Sequence, residues 1–82
     1  GGDYMVGGWS AANYWRLTDQ IPFQIDVYTT RRQGKVKVLH TLINFHRTSK
    51  KRINTAVVRF VDDHPFRIES KREARQWIKL HQ

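Results

Sequence analysis

Residues 31–61 read RRQGKVKVLHTLINFHRTSKKRINTAVVRFV, and the interpretation of the whole chain starts from them. These 31 positions contain nine Lys or Arg residues and no Asp or Glu. Apolar residues recur in the same stretch mostly two or three positions apart, between polar ones, which is typical of strands. The sequence therefore predicts a sheet with one cationic face.

Two parts of this stretch carry most of its charge. In Lys35-Val36-Lys37-Val38 the alternation sends both lysines to one face of a strand and both valines to the other. The segment from Arg47 to Arg52, here called the basic tip, has four cationic side chains and two small hydroxyls among its six residues. This composition suits phosphate oxygens and is poor for burial, so we expect a loop tip or hairpin end there.

Composition favours a polyanionic partner. The chain has 82 residues, a formal net charge of +8 and a pI near 10.5, which points to nucleic acid first, and to an anionic membrane surface or an acidic protein after it. With no cysteine it contains no disulfide and no thiolate metal site. No apolar run approaches the roughly 18 residues of a membrane span. We expect one small cytoplasmic domain over residues 1–82, and its start at Gly1-Gly2-Asp3 without Met indicates either residues left by cloning or a fragment of a longer protein.

The N-terminal third predicts a short strand, a helix and a longer strand. Residues 3–6 form a short edge strand, and Ser10 is the expected N-cap of a helix that ends near Arg16. Residues 23–27 alternate strictly between apolar and polar, which is the clearest strand pattern in the chain. Because Gly34 follows a polar turn at residues 31–33, we expect residues 35–39 to return antiparallel to that strand.

The C-terminal part predicts two further strands and an amphipathic helix. Residues 55–61 read as a strand, residues 62–65 as a turn and residues 66–68 as a last short strand. Ser70 and Glu73 fit a capping box before a helix whose apolar side contains Trp77 and Ile78. The predicted fold is α+β, with a mainly antiparallel sheet of about four or five strands, a short N-terminal helix and a C-terminal amphipathic helix packed on the apolar face.

No catalytic or cofactor motif occurs. The four histidines lack the spacing of metal ligands, and neither a nucleophile motif nor a phosphate-binding loop is present, so we predict a non-enzymatic protein without cofactor or metal. His46 is expected to contact phosphate or solvent. Most aromatic side chains are expected in the core, whereas Tyr28 lies on a polar face and is the best candidate for base stacking. The predicted nucleic-acid-binding residues are Arg31, Arg32, Lys35, Lys37, Arg47, Lys50, Lys51, Arg52 and Tyr28.

Four segments resemble the AbiEi-type antitoxins and transcriptional regulators of abortive-infection systems. The first is GWSAANYWRLTDQIP at residues 8–22, which is similar to the family's small-residue helix and the segment that follows it. VYTTRR at residues 27–32 and INFHR at residues 43–47 resemble its next two strands, and residues 68–80 resemble its closing strand and helix. Family members usually carry an N-terminal winged helix-turn-helix, so the resemblance implies that this chain is the domain that follows it.

The favoured function is therefore a DNA-binding regulator or antitoxin domain whose basic residues contact phosphates. The resemblance further implies a partner, a nucleotidyltransferase-type toxin that the domain helps to neutralise. The alternative is a protein-interaction module that binds an acidic surface of a toxin, phage or host protein. A nuclease is the third possibility.

Overall fold

The protein, described here by a computed structural model of residues 3–81, folds as α+β around one six-stranded mixed sheet. The strand order across the sheet is β3-β4-β2-β1-β6-β5. In chain order the elements are β1 (Tyr4–Val6), α1 (Gly8–Tyr14), β2 (Gln24–Thr29), β3 (Gly34–Val38), β4 (Thr41–Arg47), α2 (Lys50–Ile53), β5 (Val57–Val61), β6 (His64–Ile68) and α3 (Lys71–His81). The α+β class agrees with the sequence analysis, but the sheet is larger than expected and is not mainly antiparallel.

The sheet contains two parallel pairings that the sequence did not predict. β2 pairs with β4 in parallel along its whole length, from Gln24 opposite Leu42 to Thr29 opposite Arg47. β1, expected as an edge strand, lies between β2 and β6 and is parallel to β6. The expected β2–β3 hairpin is wrong, because β3 pairs antiparallel with β4 and forms the edge of the sheet.

Turn residues explain the hairpins that do form. Leu39 has a positive φ of 57° between β3 and β4. Asp62 and Asp63 have φ values of 48° and 66°, as the tight turn of the β5–β6 hairpin requires. The predicted turn is therefore found at residues 62 and 63, whereas His64 and Pro65, also predicted for the turn, are the first residues of β6. The tight turn therefore follows β3 and not β2, so β4 can lie between β2 and β3.

The observed N-termini of the helices differ from the sequence analysis in two details. α1 begins at Gly8, so Ser10 is not its cap; the Ser10 hydroxyl accepts from Asp26 N (3.0 Å) and donates to Gln24 O (3.3 Å), which ties α1 to β2. The basic tip is not a loop, because Ser49 caps the short helix α2 by accepting from Arg52 N at 3.2 Å. The cap of α3 is confirmed, since Glu73 N donates to Ser70 Oγ.

Two buried clusters hold the elements together. Met5, Tyr28 and Ile53 form one, so α2 covers the sheet at β1 and β2. The other joins Ala11 of α1, Ile68 of β6 and Ala74 of α3, with Trp15 and other half-buried apolar side chains around them. Ile78 is buried as expected, whereas three aromatic residues predicted for the core are exposed: Tyr14 at 37%, Phe23 at 84% and Phe60 at 65%.

The half of the sheet formed by β2, β4 and β3 has two chemically different faces. The register places Asp26, Tyr28, Asn44, His46, Lys35 and Lys37 on one side, here called the polar face. Ile25, Val27, Ile43, Phe45, Val36 and Val38 are on the other side, the apolar face. The alternation predicted for β2 and β3 is therefore observed. None of the six apolar side chains is buried, however, and none belongs to either core cluster.

Candidate nucleic-acid interface

The predicted cations meet where β2 and β4 end. The two strands are parallel neighbours, so the segments that follow them leave the sheet side by side, and Thr48 N donates to Thr29 O at 2.9 Å. This places Arg31 after β2 next to Arg47 at the end of β4. α2 follows at once and adds Lys50 and Lys51, and all four side chains are exposed. We call this group, together with Lys35, the basic end of the sheet.

β3 extends the positive charge along the polar face. It runs antiparallel to β4 and begins at the basic end, with Lys35 opposite Asn44 and Lys37 opposite Leu42. Both lysines are exposed. His46 contacts Asp26 and Arg52 pairs with Glu69, and no acidic partner is found among residues 3–81 for any basic-end cation or for Lys37. These cations are therefore available to an external anion.

A shallow groove lies beside these cations on the polar face. It is lined by Tyr28, Gln33, Gly34, Asn44, Phe45, His46 and Arg47. The side chains of Gln33 and Asn44 form no hydrogen bond within residues 3–81, so their amides are free to donate and accept. Gly34 has a φ of 120°, and a Cβ built on it would meet nothing within 4 Å, which leaves the backbone open to close approach by a ligand.

Arg52 is not a free phosphate ligand, although the sequence predicted it as one. Its Nη2 donates to Glu69 Oε2 at 2.8 Å, and Glu69 is only 1% exposed. Burial by itself lowers the pKa of Arg52, but the hydrogen bond and charge of Glu69, together with Tyr28, raise it above its ordinary value. Arg52 therefore remains charged and compensates a buried carboxylate.

Tyr28 lies on the polar face as predicted but is not available for base stacking, because it is 7% exposed. Its ring stacks on His46 with centroids 4.7 Å apart, and the Arg52 guanidinium lies 4.6 Å from its centroid. Burial raises the pKa of the Tyr28 phenol; the charge of Arg52 lowers it in part, whereas Glu69 and Asp26 raise it further. Tyr28 thus connects β2 to α2 instead of offering a free ring.

Arg32 lies on the other side of the sheet from Lys35 and Lys37. Its guanidinium is 4.5 Å from the centroid of Phe45, on the apolar face. The predicted binding residues therefore fall into three groups. Arg31, Lys35, Lys37, Arg47, Lys50 and Lys51 are exposed around the basic end and β3, although the register puts Arg47 on the side of Phe45 and not on that of Lys35 and Lys37. Arg32 is also on the side of Phe45, and Arg52 and Tyr28 are structural.

The pair of Asp26 and His46 was missed by sequence reasoning. The Asp26 carboxylate only accepts, so His46 Nε2 carries the proton and donates to Asp26 Oδ1 at 3.0 Å. The contact depends on parallel register between residues 20 positions apart, and no local pattern reports such a register. The bond fixes the ring of His46 in the groove, and Nδ1 has no hydrogen-bond partner among residues 3–81.

Metal-binding groups and membrane-spanning helices are both missing from the described residues. No group of three or more His, Cys, Asp or Glu side chains within residues 3–81 is placed to hold a metal ion. No helix in this range has the length and apolar character needed to cross a membrane. Comparison of the chain with models of known families, with curated proteins and with solved structures found no match. The resemblance to the AbiEi-type regulators stays a prediction.

Proposed function

We propose that this is a non-enzymatic DNA-binding domain of a transcription regulator or antitoxin, which contacts phosphates through the basic end and β3. The observation that carries the proposal is the parallel pairing of β2 with β4. It places Arg31, Arg47, Lys50 and Lys51 at one end of the sheet, exposed and without acidic partners among the described residues. Such a cluster binds the phosphate backbone by counterion release.

The β3–β4 hairpin gives the proposed contact its geometry. A two-stranded antiparallel ribbon fits the major groove of B-DNA, and this ribbon is at the edge of the sheet with polar side chains on one face. Lys35 and Lys37 lie on the outer strand, and Asn44 and His46 lie on the inner one. α2 then presents Lys50 and Lys51 to the flanking backbone. Phosphate contacts of this kind give a Kd of about 10⁻⁴ to 10⁻⁶ M at physiological salt.

The test is a salt titration of binding to a labelled DNA duplex, followed by fluorescence anisotropy. If all six exposed cations contact phosphates, the slope of log K against log salt is about −5, since each contact contributes about −0.9. The variants Lys35→Gln with Lys37→Gln, and separately Lys50→Gln with Lys51→Gln, should each reduce that slope by about 1.8. Lys71→Gln with Lys79→Gln is the matched control, because it removes the same charge from exposed positions of α3.

Two outcomes contradict the proposal. A wild-type slope near zero would show that phosphates are not bound. Equal losses for the α3 control and the two sheet variants would show that only net charge attracts DNA, without a defined interface. Circular dichroism of each variant establishes that the fold is retained.

The apolar face favours a second function, the binding of an acidic partner protein. Its six apolar side chains are partly exposed, with Val38 at 50%, and Arg32 lies over Phe45 at its margin. A partner that covers this face would meet Arg32, so carboxylates at that position would complement it. The resemblance implies a nucleotidyltransferase-type toxin as one such partner. Ile43→Asp should abolish co-purification of such a partner after nuclease treatment while it leaves DNA affinity unchanged. Retention of the partner by Ile43→Asp would exclude this face.

A further inference from the structure

A small aromatic pocket lies at the start of β2. It has a volume of about 200 Å³ and is lined by Trp9, Gln20, Ile21, Pro22, Phe23, Gln24 and Asp26. Ile21 and Phe23 are 86% and 84% exposed, so they form its rim, whereas Asp26 is 4% exposed and lies at its floor. The volume is below that of pockets for drug-sized ligands, so it suits a compact group.

The rim exposes more apolar surface than folding requires. Ile21 and Phe23 are among the most exposed large apolar residues of the described chain, and both flank Pro22 in the same loop. Trp9 supplies a third wall and is held by an edge-to-face contact with Trp77, with centroids 5.0 Å apart. An indole and a phenyl ring beside one pocket present negative π-faces to whatever enters it.

The floor of the pocket presents acceptors in need of donors. Asp26 Oδ1 accepts from His46 Nε2 at 3.0 Å and from Gln24 Nε2 at 3.3 Å, while no donor to Oδ2 is found among residues 3–81. Gln24 Oε1 is buried and also has no hydrogen-bond partner in that range. A buried acceptor without a donor costs about 1–3 kcal/mol, so a ligand that donates to Gln24 Oε1 is favoured, and Asp26 Oδ2 is a second acceptor of the same pocket.

The local charge has the opposite sign to that of the rest of the protein. Residues 17–30 include Asp19 and Asp26 and contain no Lys, Arg or His, although the whole chain carries +8. The segment that leads into β2 therefore has no basic residue and β2 runs from it to the basic end, although Lys37 of β3 lies opposite Leu42, the β4 partner of Gln24. A cation that is repelled by the basic end meets no positive charge along the segment that forms most of this pocket.

We propose that the aromatic pocket binds an organic ammonium group on a short apolar body. The cation lies against Trp9 and Phe23 by cation–π attraction, and its N–H groups or positive charge are directed to Asp26 Oδ2 and Gln24 Oε1. The site is separate from the basic end and does not depend on DNA binding. The ammonium group comes either from a free small molecule or from a lysine side chain of another polypeptide, and the same chemistry recognises both.

The test is a titration followed by the ¹H–¹⁵N signal of the Trp9 indole, at constant ionic strength. The probes are choline, its neutral carbon isostere 3,3-dimethylbutan-1-ol, and Nα-acetyl-lysine amide. Trp15 is the internal reference, because its Nε1 donates to Glu69 O at 2.8 Å and it does not line the pocket. Choline should shift Trp9 alone with a Kd on the order of 1 mM, at least threefold tighter than the isostere. Tighter binding of the lysine amide than of choline would identify a polypeptide as the source, and the reverse a free ammonium compound.

Variants locate the site. Phe23→Ala removes a rim side chain that is 84% exposed, so the fold should be retained while choline affinity falls at least threefold. Phe60→Ala is the matched control, because Phe60 is 65% exposed on β5 and lies outside the pocket. Asp26→Asn should reduce choline affinity to that of the isostere. If Asp26→Asn unfolds the protein, the choline affinity of Phe23→Ala still decides whether the ammonium group binds in this pocket.

Three results would overturn the proposal. Equal affinity for choline and its isostere would show an apolar site without cation recognition. No shift of Trp9 at 50-fold the expected Kd would show that no ammonium site exists. An unchanged affinity of Phe23→Ala, or an equal loss in Phe60→Ala, would place any binding elsewhere.

Discussion

Replacement of Arg52 by Met tests whether the ion pair with Glu69 holds α2 on the sheet. Met keeps an unbranched side chain of similar bulk and removes the charge. Glu69 Oε2 then loses its donor, and Glu69 Oε1 already has no hydrogen-bond partner among residues 3–81. A carboxylate that is 1% exposed would remain buried without a compensating charge.

The expected cost follows from the burial of the two partners. Removing one partner of a fully buried pair costs about 3–5 kcal/mol. The Arg52 side chain is 37% exposed, so water screens the pair and the lower part of that range applies. Loss of the Tyr28 contact adds about 0.5–1 kcal/mol, which gives a total of about 3.5–4 kcal/mol. For a domain of this size each kcal/mol lowers Tm by about 4–8 °C, so Arg52→Met should melt about 14–32 °C below the wild type.

Urea unfolding followed by tryptophan fluorescence measures this free energy directly. Lys51→Met is the matched control, since Lys51 is the exposed neighbour of Arg52 on α2 and should change stability by less than about 0.5 kcal/mol. Adding Glu69→Gln to Arg52→Met removes the stranded charge and should recover at least about 1 kcal/mol. Arg52→Met within 0.5 kcal/mol of the wild type would refute the reasoning, because the pair would then contribute nothing to stability.

Three further predictions follow from burial and backbone geometry. Ile78→Ala should cost about 2–4 kcal/mol in thermal or urea unfolding, whereas Leu80→Ala, at an 81% exposed position of the same helix, should cost less than about 0.5 kcal/mol. Gly8→Ala should lower stability by at least about 1 kcal/mol, because φ is +56° and the new Cβ would lie 3.1 Å from Asp26 Oδ2; an unchanged urea midpoint would contradict this. Burial holds the pKa of Tyr28 above its ordinary value of 10.0, so above about pH 10 the unfolded chain ionises first and stability falls as pH rises. Tyr28→Phe should flatten that decline between pH 9 and pH 11, and an equally steep loss in the variant would assign it to other groups.

Local sequence patterns predicted the helices and strands themselves better than they predicted which strands pair. The alternation from Phe23 onward and the capping serine of α3 depend on residues close in sequence, and both β2 and α3 are found where they predict. Strand pairing is a different property, because a period of two specifies which face a residue occupies and not which strand lies beside it. The local patterns are equally compatible with β4 pairing only with β3. In the structure β4 also lies next to β2, where His46 contacts Asp26 and Tyr28, and these contacts cannot be predicted from residues close in sequence.

The same distinction explains why the basic end was predictable although the strand order was not. The end at which a strand stops depends only on how many times the chain has reversed, and β2 and β4 are separated by two reversals in either topology. Arg31 and Arg47 would therefore meet the same end of the sheet even in a simple β2-β3-β4 meander. Placing β4 between β2 and β3 reduces their strand separation from about 9.6 Å to about 4.8 Å. Because Arg31 follows Thr29, the register partner of Arg47, by two residues, the closer strands also shorten the distance that one bound phosphate would have to bridge.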